Sequence, residues 1–584
     1  MEIVIWKHRL KEFCKSAVLK SFVINLILMG VMFLFFKPTM KSDDYYLSQI
    51  CYGVYNGEYD VHLVYNSIWL GYIIRALLTC FPKVAWYTVL QIICVFVAFW
   101  TLLYIAIHKR CTTYAGLGLL FFSYDCYIRI TFTKTAMVLM AVGILVIFLF
   151  LKEESGFNRN RWCLWGVFLC YFGAMWRYEG LMSVFALLAG IGVIEIWGKV
   201  CSKERVWKYA LCYVGIMAFI LLGNRALKVI GRDLYALDAN WSSFHYDNSL
   251  KSAVLDYTVD NYELYEDEYK SIGVSRNDLE LLYSNNLFDV EFLTEAKSRE
   301  IIEIARKDVK AESLLENVFL FSNIKSFVQK VAPAYLLKPG FICFLVLSLF
   351  FMRGSSLRKS LIWMYIAVML CAENYYLFLQ GRVLQPHVDT GMIFTACMFL
   401  FYFYLEELLS GELEQLNEKR YISVLSIILI CAIQSSYAEI TLDAFYDYNS
   451  VNACSAENGR MVMEEVHKDK DHLYIMPARE SVFSRWAFDT FEVMPLGYCS
   501  NTFVLGEQLY GDAREILHNY NVSNVYKDMI NSEQIYFLVS DDIEWESVER
   551  VQLYIQEHYE PNAEMVKVRE IGTANVYECT TKAM

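Results

Sequence analysis

Long apolar blocks decide what this chain can fold into. The first, "FVINLILMGVMFLFF" at residues 22–36, contains no charged side chain. A helix crosses a bilayer with roughly 20 apolar residues. Blocks of this kind recur at 21–36, 86–107, 114–130, 134–151, 162–177, 180–197, 208–224, 335–352, 360–378, 390–407 and 421–437. The shorter ones must recruit flanking Tyr and Trp at the interface. The expected fold class is therefore an α-helical integral membrane protein with about 11 transmembrane helices.

Composition excludes several alternatives. The 584 residues are 56% hydrophobic, whereas a soluble chain of that length would divide into several domains with more charge. A net charge of −12 and the lack of any basic run argue against nucleic acid as a partner. The 17 cysteines show no CxxC or Cys/His zinc spacing and read as small buried hydrophobes, with Cys454 and Cys499 the one pair suggesting a disulfide. No small-residue cleavage site follows the first apolar block, so that block is expected to be a retained anchor.

Orientation follows from Lys and Arg in short loops. Lys7, Arg9, Lys11, Lys15 and Lys20 precede the first span, and alternate loops carry "HKR", "LKEESGFNRNR", "GKVCSKERVWK", "RGSSLRK" and "NEKR". All are cytoplasmic if residues 63–81, which contain Asn66 and Arg75, form an amphipathic helix in the outer interface with Arg and Asn facing water. The expected organisation is a polytopic membrane domain at 1–437, with a first outer loop at 37–85 and a large outer loop at 225–334. A C-terminal α/β extracytoplasmic domain at 438–584 completes a multi-pass protein of the cell membrane with a cytoplasmic N-terminus. In that tail "HLYIMPA" and "QIYFLVSDD" read as strands, "GDAREILHNY" and "WESVERVQLYIQEHY" as helices, and "EMVKVREIGTANVYEC" as a hairpin turning at Gly572.

On this topology the unusual polar residues gather on the outer face. Asp43 and Asp44 follow the first span; Arg129 and Lys134 lie in one outer turn, Arg177 and Glu179 in another, and Arg382 in a third, followed by His387 and Asp389. Each charge in or near a span costs of the order of 2–3 kcal/mol on insertion scales, so a gathering suggests a cavity. Taken singly, Arg or Lys at a helix end snorkels to headgroups, and Asp43 reads equally as a helix cap. Together, a carboxylate pair and converging cations suit transfer from a phosphate leaving group: an acid takes the acceptor's proton and cations stabilise the departing phosphate. There is no GxxxxGK[ST], HExxH or GxSxG, and none of the nine histidines has metal-ligand spacing.

One span, then an outer loop opening on "SDDYY", amphipathic outer helices, about eleven spans and an outer C-terminal domain: this layout resembles the GT-C glycosyltransferases. That class includes protein mannosyltransferases, lipid A aminoarabinose transferases and bacterial cell-surface polysaccharide glycosyltransferases. The loop "YKSIGVSRNDLELLYSNNLFDVEFLTEAKSREII" is similar to a segment of the last group. The resemblance implies a polyprenyl-phosphate-linked sugar donor drawn from the outer leaflet, with a glycan or lipid-linked acceptor arriving from water. Transfer would invert the anomeric carbon, with one of Asp43 and Asp44 as general base and the other orienting it or holding a metal. Arg177, Glu179, Arg382, Lys134, Arg129 and His62 would bind the lipid phosphate or the sugar. Some members of the class use a divalent cation and others none, so no cofactor is fixed. Three rivals stand beside it: a lipid-linked glycan transporter, a polysaccharide polymerase or ligase centred on Arg232, Arg276 and His245, and a non-catalytic assembly protein whose outer domain binds a partner.

Overall fold

The computed structural model describes residues 16–40, 43–109, 111–152, 157–201, 206–242, 260–307, 320–336, 338–352, 356–380, 386–410, 456–478, 488–506, 513–540 and 544–581. Among them seven helices are long and apolar enough to cross a membrane, or up to eight if one bent pair counts as a single span. The chain is thus a helical membrane protein, and the described residues do not by themselves confirm the expected count of eleven. Block 421–437 lies outside the described residues. Block 335–352 is a helix, Pro339–Phe351, preceded by helix Phe321–Leu336 at an angle of 90°. Blocks 114–130 and 162–177 form helices that are respectively too short and too polar at the start to qualify.

The elements that position the site are taken in chain order. Helix α1 (Ala17–Phe35) opens on Ser16, whose hydroxyl accepts the Leu19 N–H. Strand β1 (Thr39–Met40) follows, then α2 (Asp43–Cys51), α3 (Ile68–Cys80), α4 (Trp86–His108) and α5 (Thr112–Tyr127). Strand β2 (Arg129–Ile130) leads into α6 (Phe132–Leu151), α7 (Phe157–Trp176), α8 (Tyr178–Cys201) and α9 (Val206–Tyr235). Helix α6 is the buried centre of the bundle and packs tightly on α7. A Cβ on Gly143 would lie 2.6 Å from the Gly166 carbonyl oxygen, so small residues set that approach.

The two ends of the bundle are distinct. At one end β1 runs parallel to β2, pairing Thr39 with Arg129 and Met40 with Ile130. There the Ser67 N–H donates to the Met175 carbonyl at 2.8 Å. At the other end Lys152 pairs with Glu195 at 2.7 Å and with Glu406, while Lys359 pairs with Glu407 at 2.8 Å.

Helix α3 spans 13 residues and is too short to cross. Leu70, Gly71, Ile74 and Leu78 are buried while Arg75 is exposed, an amphipathic helix as its spacing implies. Asn66, expected to face water, turns inward instead. Helix α9 is also longer than its hydropathy suggests: it continues to Tyr235, whereas the apolar block ends at 224.

The tail holds a five-stranded sheet of β3 (Leu473–Met476), β4 (Thr502–Val504), β5 (Ile535–Ser540), β6 (Glu564–Ile571) and β7 (Ala574–Thr580), in the order β4-β3-β5-β7-β6. The first three are parallel, and β6–β7 is an antiparallel hairpin turning through Gly572 at φ 58°. Residues of the middle loop, 260–307, pack onto this sheet's helices. Asp289 accepts from Asn524 at 2.9 Å, from the Tyr554 hydroxyl at 2.8 Å and from Tyr559, and Asp278 pairs with His558 at 2.8 Å. Cys499 has a free, buried thiol, and Cys454 lies outside the described residues.

Candidate functional site

The parallel β1–β2 contact carries the start of α2 to the start of α6, and this separates the two adjacent aspartates. Asp44 is 1% exposed. Its Oδ1 accepts from Gln91 Nε2 at 2.8 Å, from the Phe132 N–H at 2.9 Å and from the Tyr87 hydroxyl at 3.2 Å. Burial pushes its carboxyl up to about 8, against the opposing pull of these donors, and the charge of Asp43 adds to the rise. Asp44 is therefore mostly protonated at neutral pH and joins α2 to α4 and α6. Asp43, one position earlier in the first turn of α2, is only partly buried.

A chain of polar contacts leads away from Asp44. The Tyr87 hydroxyl also lies 3.5 Å from Asn66 Oδ1, and Asn66 Nδ2 donates to the Trp176 carbonyl at 2.7 Å. Asn66 and Arg177 both line a cavity of ≈ 460 Å³ bounded by α3, the α7–α8 turn and the last turns of α9. The Arg177 guanidinium sits 5.4 Å from the rings of both Tyr65 and Phe132, which are themselves stacked at 6.2 Å. Phe132 thus touches both centres, Asp44 through its N–H and Arg177 through its ring.

The cavity wall is cationic. Arg177, Arg225, Lys228 and Arg232 line it against one carboxylate, Glu179. Glu179 is held by Arg177 at 3.3 Å and Lys228 at 2.6 Å, and Lys228 lies over the Tyr178 ring at 4.4 Å. Trp69 fastens α3 to α9 by donating to the Leu227 carbonyl at 3.2 Å.

Not every expected residue reaches this cavity. Lys134 is buried and its ammonium donates to the carbonyls of Asp125 and Arg129, each at 2.5 Å, bracketing the α5–β2 turn. Arg129 pairs with Asp125 at 3.4 Å, and Thr390 donates to the same carboxylate. Asp389 is paired with Lys338. His62 is engaged by Asp60 at 2.6 Å and stacks on Trp241 behind the rim formed by Tyr235. Arg382 and His245 lie outside the described residues. Arg276 is tied to Asp260 and Glu280 at the far side of the middle loop. Arg225 and Lys228 were missed because α9 was expected to end before them. Their spacing with Arg232, three and seven residues on, is the signal that places them on one helix face.

No family model matches the sequence, nor does any curated protein. Two solved structures are similar over almost the full length: ArnT from Cupriavidus metallidurans in the apo state, at a TM-score of 0.39, and ArnT bound to undecaprenyl phosphate, at 0.37. Each is 11% identical, covering 96% of this chain and 97% of that one. At that identity and score, the chemistry of this chain rests on its own geometry.

Proposed function

We propose that the protein is a GT-C-type membrane glycosyltransferase, taking a sugar from a polyprenyl-phosphate donor to an extracytoplasmic glycan or lipid-linked acceptor. The observation that carries this reading is the cationic cavity at the end of the bundle where the aspartate-bearing α2 starts, linked to it through Asn66, Tyr87 and Phe132. Cations at the end of membrane helices suit an anionic headgroup, and an adjacent carboxylate suits a hydroxyl that must lose its proton.

In this mechanism Asp43 accepts the proton of the acceptor hydroxyl as its oxygen attacks the anomeric carbon. The carbon–oxygen bond to phosphate breaks, and the phosphate leaves with the electron pair as a lipid-phosphate anion. Arg177, Lys228, Arg225 and Arg232 stabilise that charge. One displacement inverts the anomeric centre, and a phosphate leaving group needs no protonated acid, unlike glycoside hydrolysis. Asp44, held neutral, keeps α2 in place. A divalent cation near Asp43 is compatible with the scheme, and no step depends on it.

The test is sugar transfer by purified protein from a panel of polyprenyl-phosphate donors, read by the mass of the acceptor. Asp43→Asn is expected to lower turnover by ~10²–10⁴ while the protein stays folded, the usual cost of losing a general base. Undiminished turnover in that variant overturns the assignment of Asp43. A wild-type protein that transfers from no donor, yet moves lipid-linked glycan between leaflets, replaces the reading with transport.

A further inference from the structure

A loop of the tail, residues 488–499, packs against the ends of α1 and α4. The Phe491 ring meets Phe33 of α1 edge-on at 6.3 Å, and the Thr490 carbonyl accepts from the Thr88 hydroxyl, two residues into α4, at 2.9 Å. Asp489 pairs with Lys37, just beyond α1, at 2.7 Å. Phe491 and Leu496 are 40% and 49% exposed, and Phe81, before α4, is 59% exposed. These side chains continue the apolar belt of α1, where Leu34 and Phe35 are 77% and 71% exposed. Between the loop and the segment ahead of α4 runs an open groove of ≈ 690 Å³, lined by exposed Lys83 and by Asp489 and Glu492, whose charges are met by Lys37 and Arg460.

We propose that this groove seats a phospholipid of the surrounding leaflet, with Lys83 at its phosphate and Phe491 and Leu496 among its upper chains. Apolar rings flanked by lysine at the end of spans are what an interfacial lipid contact requires. A glycan strand is the poorer fit, since Phe491 lies against a ring of a membrane helix. The contact also bears on the aspartates. The same loop grips the far end of α2: Gln49 Nε2 donates to Met494 Sδ at 3.4 Å, the Gly497 N–H to the Gly53 carbonyl and the Cys499 N–H to the Val54 carbonyl, each at 2.9 Å. The lipid-seated loop thereby holds the helix that carries Asp43 at a set height above the leaflet.

The experiment places the photoreactive residue p-benzoylphenylalanine at position 491, and separately at 496, in the full-length protein in phospholipid nanodiscs. Leu553 and Val568, exposed on the tail away from the groove, serve as controls. After irradiation, mass spectrometry should find phospholipid adducts at 491 and 496 and none at 553 or 568. Equal lipid labelling at all four positions, no lipid adduct at 491 and 496, or adducts there with added glycan instead, overturns the proposal. Position 496 decides the matter should the 491 variant not assemble. The readout needs no enzymatic turnover, so it stands or falls separately from the catalytic reading.

Discussion

At the scale of single residues, adjacent Asp43 and Asp44 illustrate how one position can change a carboxylate's task. Three donors converge on one oxygen of Asp44, an arrangement an amide oxygen accepts equally well. Asp44→Asn should therefore leave fold and transfer nearly intact, in contrast to Asp43→Asn. The raised carboxyl also gives a pH signature. The unfolded chain loses this proton near 3.8 and the folded chain only near 8, so the stability it contributes is complete below pH 3.8 and is lost as pH rises through about 8. Thermal unfolding in detergent should accordingly show Asp44→Asn gaining on wild type from pH 5 to pH 9. Parallel curves for the two proteins would mean that Asp44 is ionised throughout. Arg177 illustrates the same dependence on surroundings: two aromatic rings and Glu179 orient a planar guanidinium, a task lysine does not reproduce.

At the scale of elements, the cavity exists because α3 and α9 close around the α7–α8 turn. Gly71 seats α3 against the segment that leads into it: a Cβ there would lie 2.0 Å from the Val61 carbonyl oxygen, a backbone atom that cannot step aside. Gly71→Ala is expected to cost about 1–3 kcal/mol by overpacking, visible as a lower unfolding temperature together with weaker donor binding. An unchanged unfolding temperature would show that α3 shifts freely. The amphipathic nature of α3 was legible from Leu70, Ile74 and Leu78, since burial at every fourth residue is a local property of a helix. The extent of α9 was not. Hydropathy falls at Arg225, but the helix continues because α3, through Trp69 and Leu227, and the salt bridge of Lys228 to Glu179 support its polar turns.

At the scale of the whole molecule, the middle loop and the tail are fastened to one another. Asp289 is the main fastening, accepting the N–H groups of Glu291 and Phe292 as well as Asn524, Tyr554 and Tyr559. Asp289→Ala would leave several buried donors unpaired, at roughly 1–3 kcal/mol each before relaxation. Limited proteolysis should then cut within 260–305 faster than in wild type, while the membrane helices stay intact. Equal cleavage rates would show that the loop holds to the tail without this carboxylate.

The sequence alone determined that the chain is helical and membrane-embedded, that α3 is amphipathic rather than a span, and that 473–476, 535–540 and the hairpin at Gly572 are strands. Those properties depend on near neighbours, through hydropathy, periodicity and turn chemistry. Tertiary structure decided which aspartate is sealed by Gln91, Tyr87 and Phe132, which cations share a cavity with Arg177, and why Lys134 instead caps carbonyls. Burial and hydrogen bonding of a polar side chain are set by partners up to hundreds of residues away, and a pattern of nearest neighbours carries no record of them.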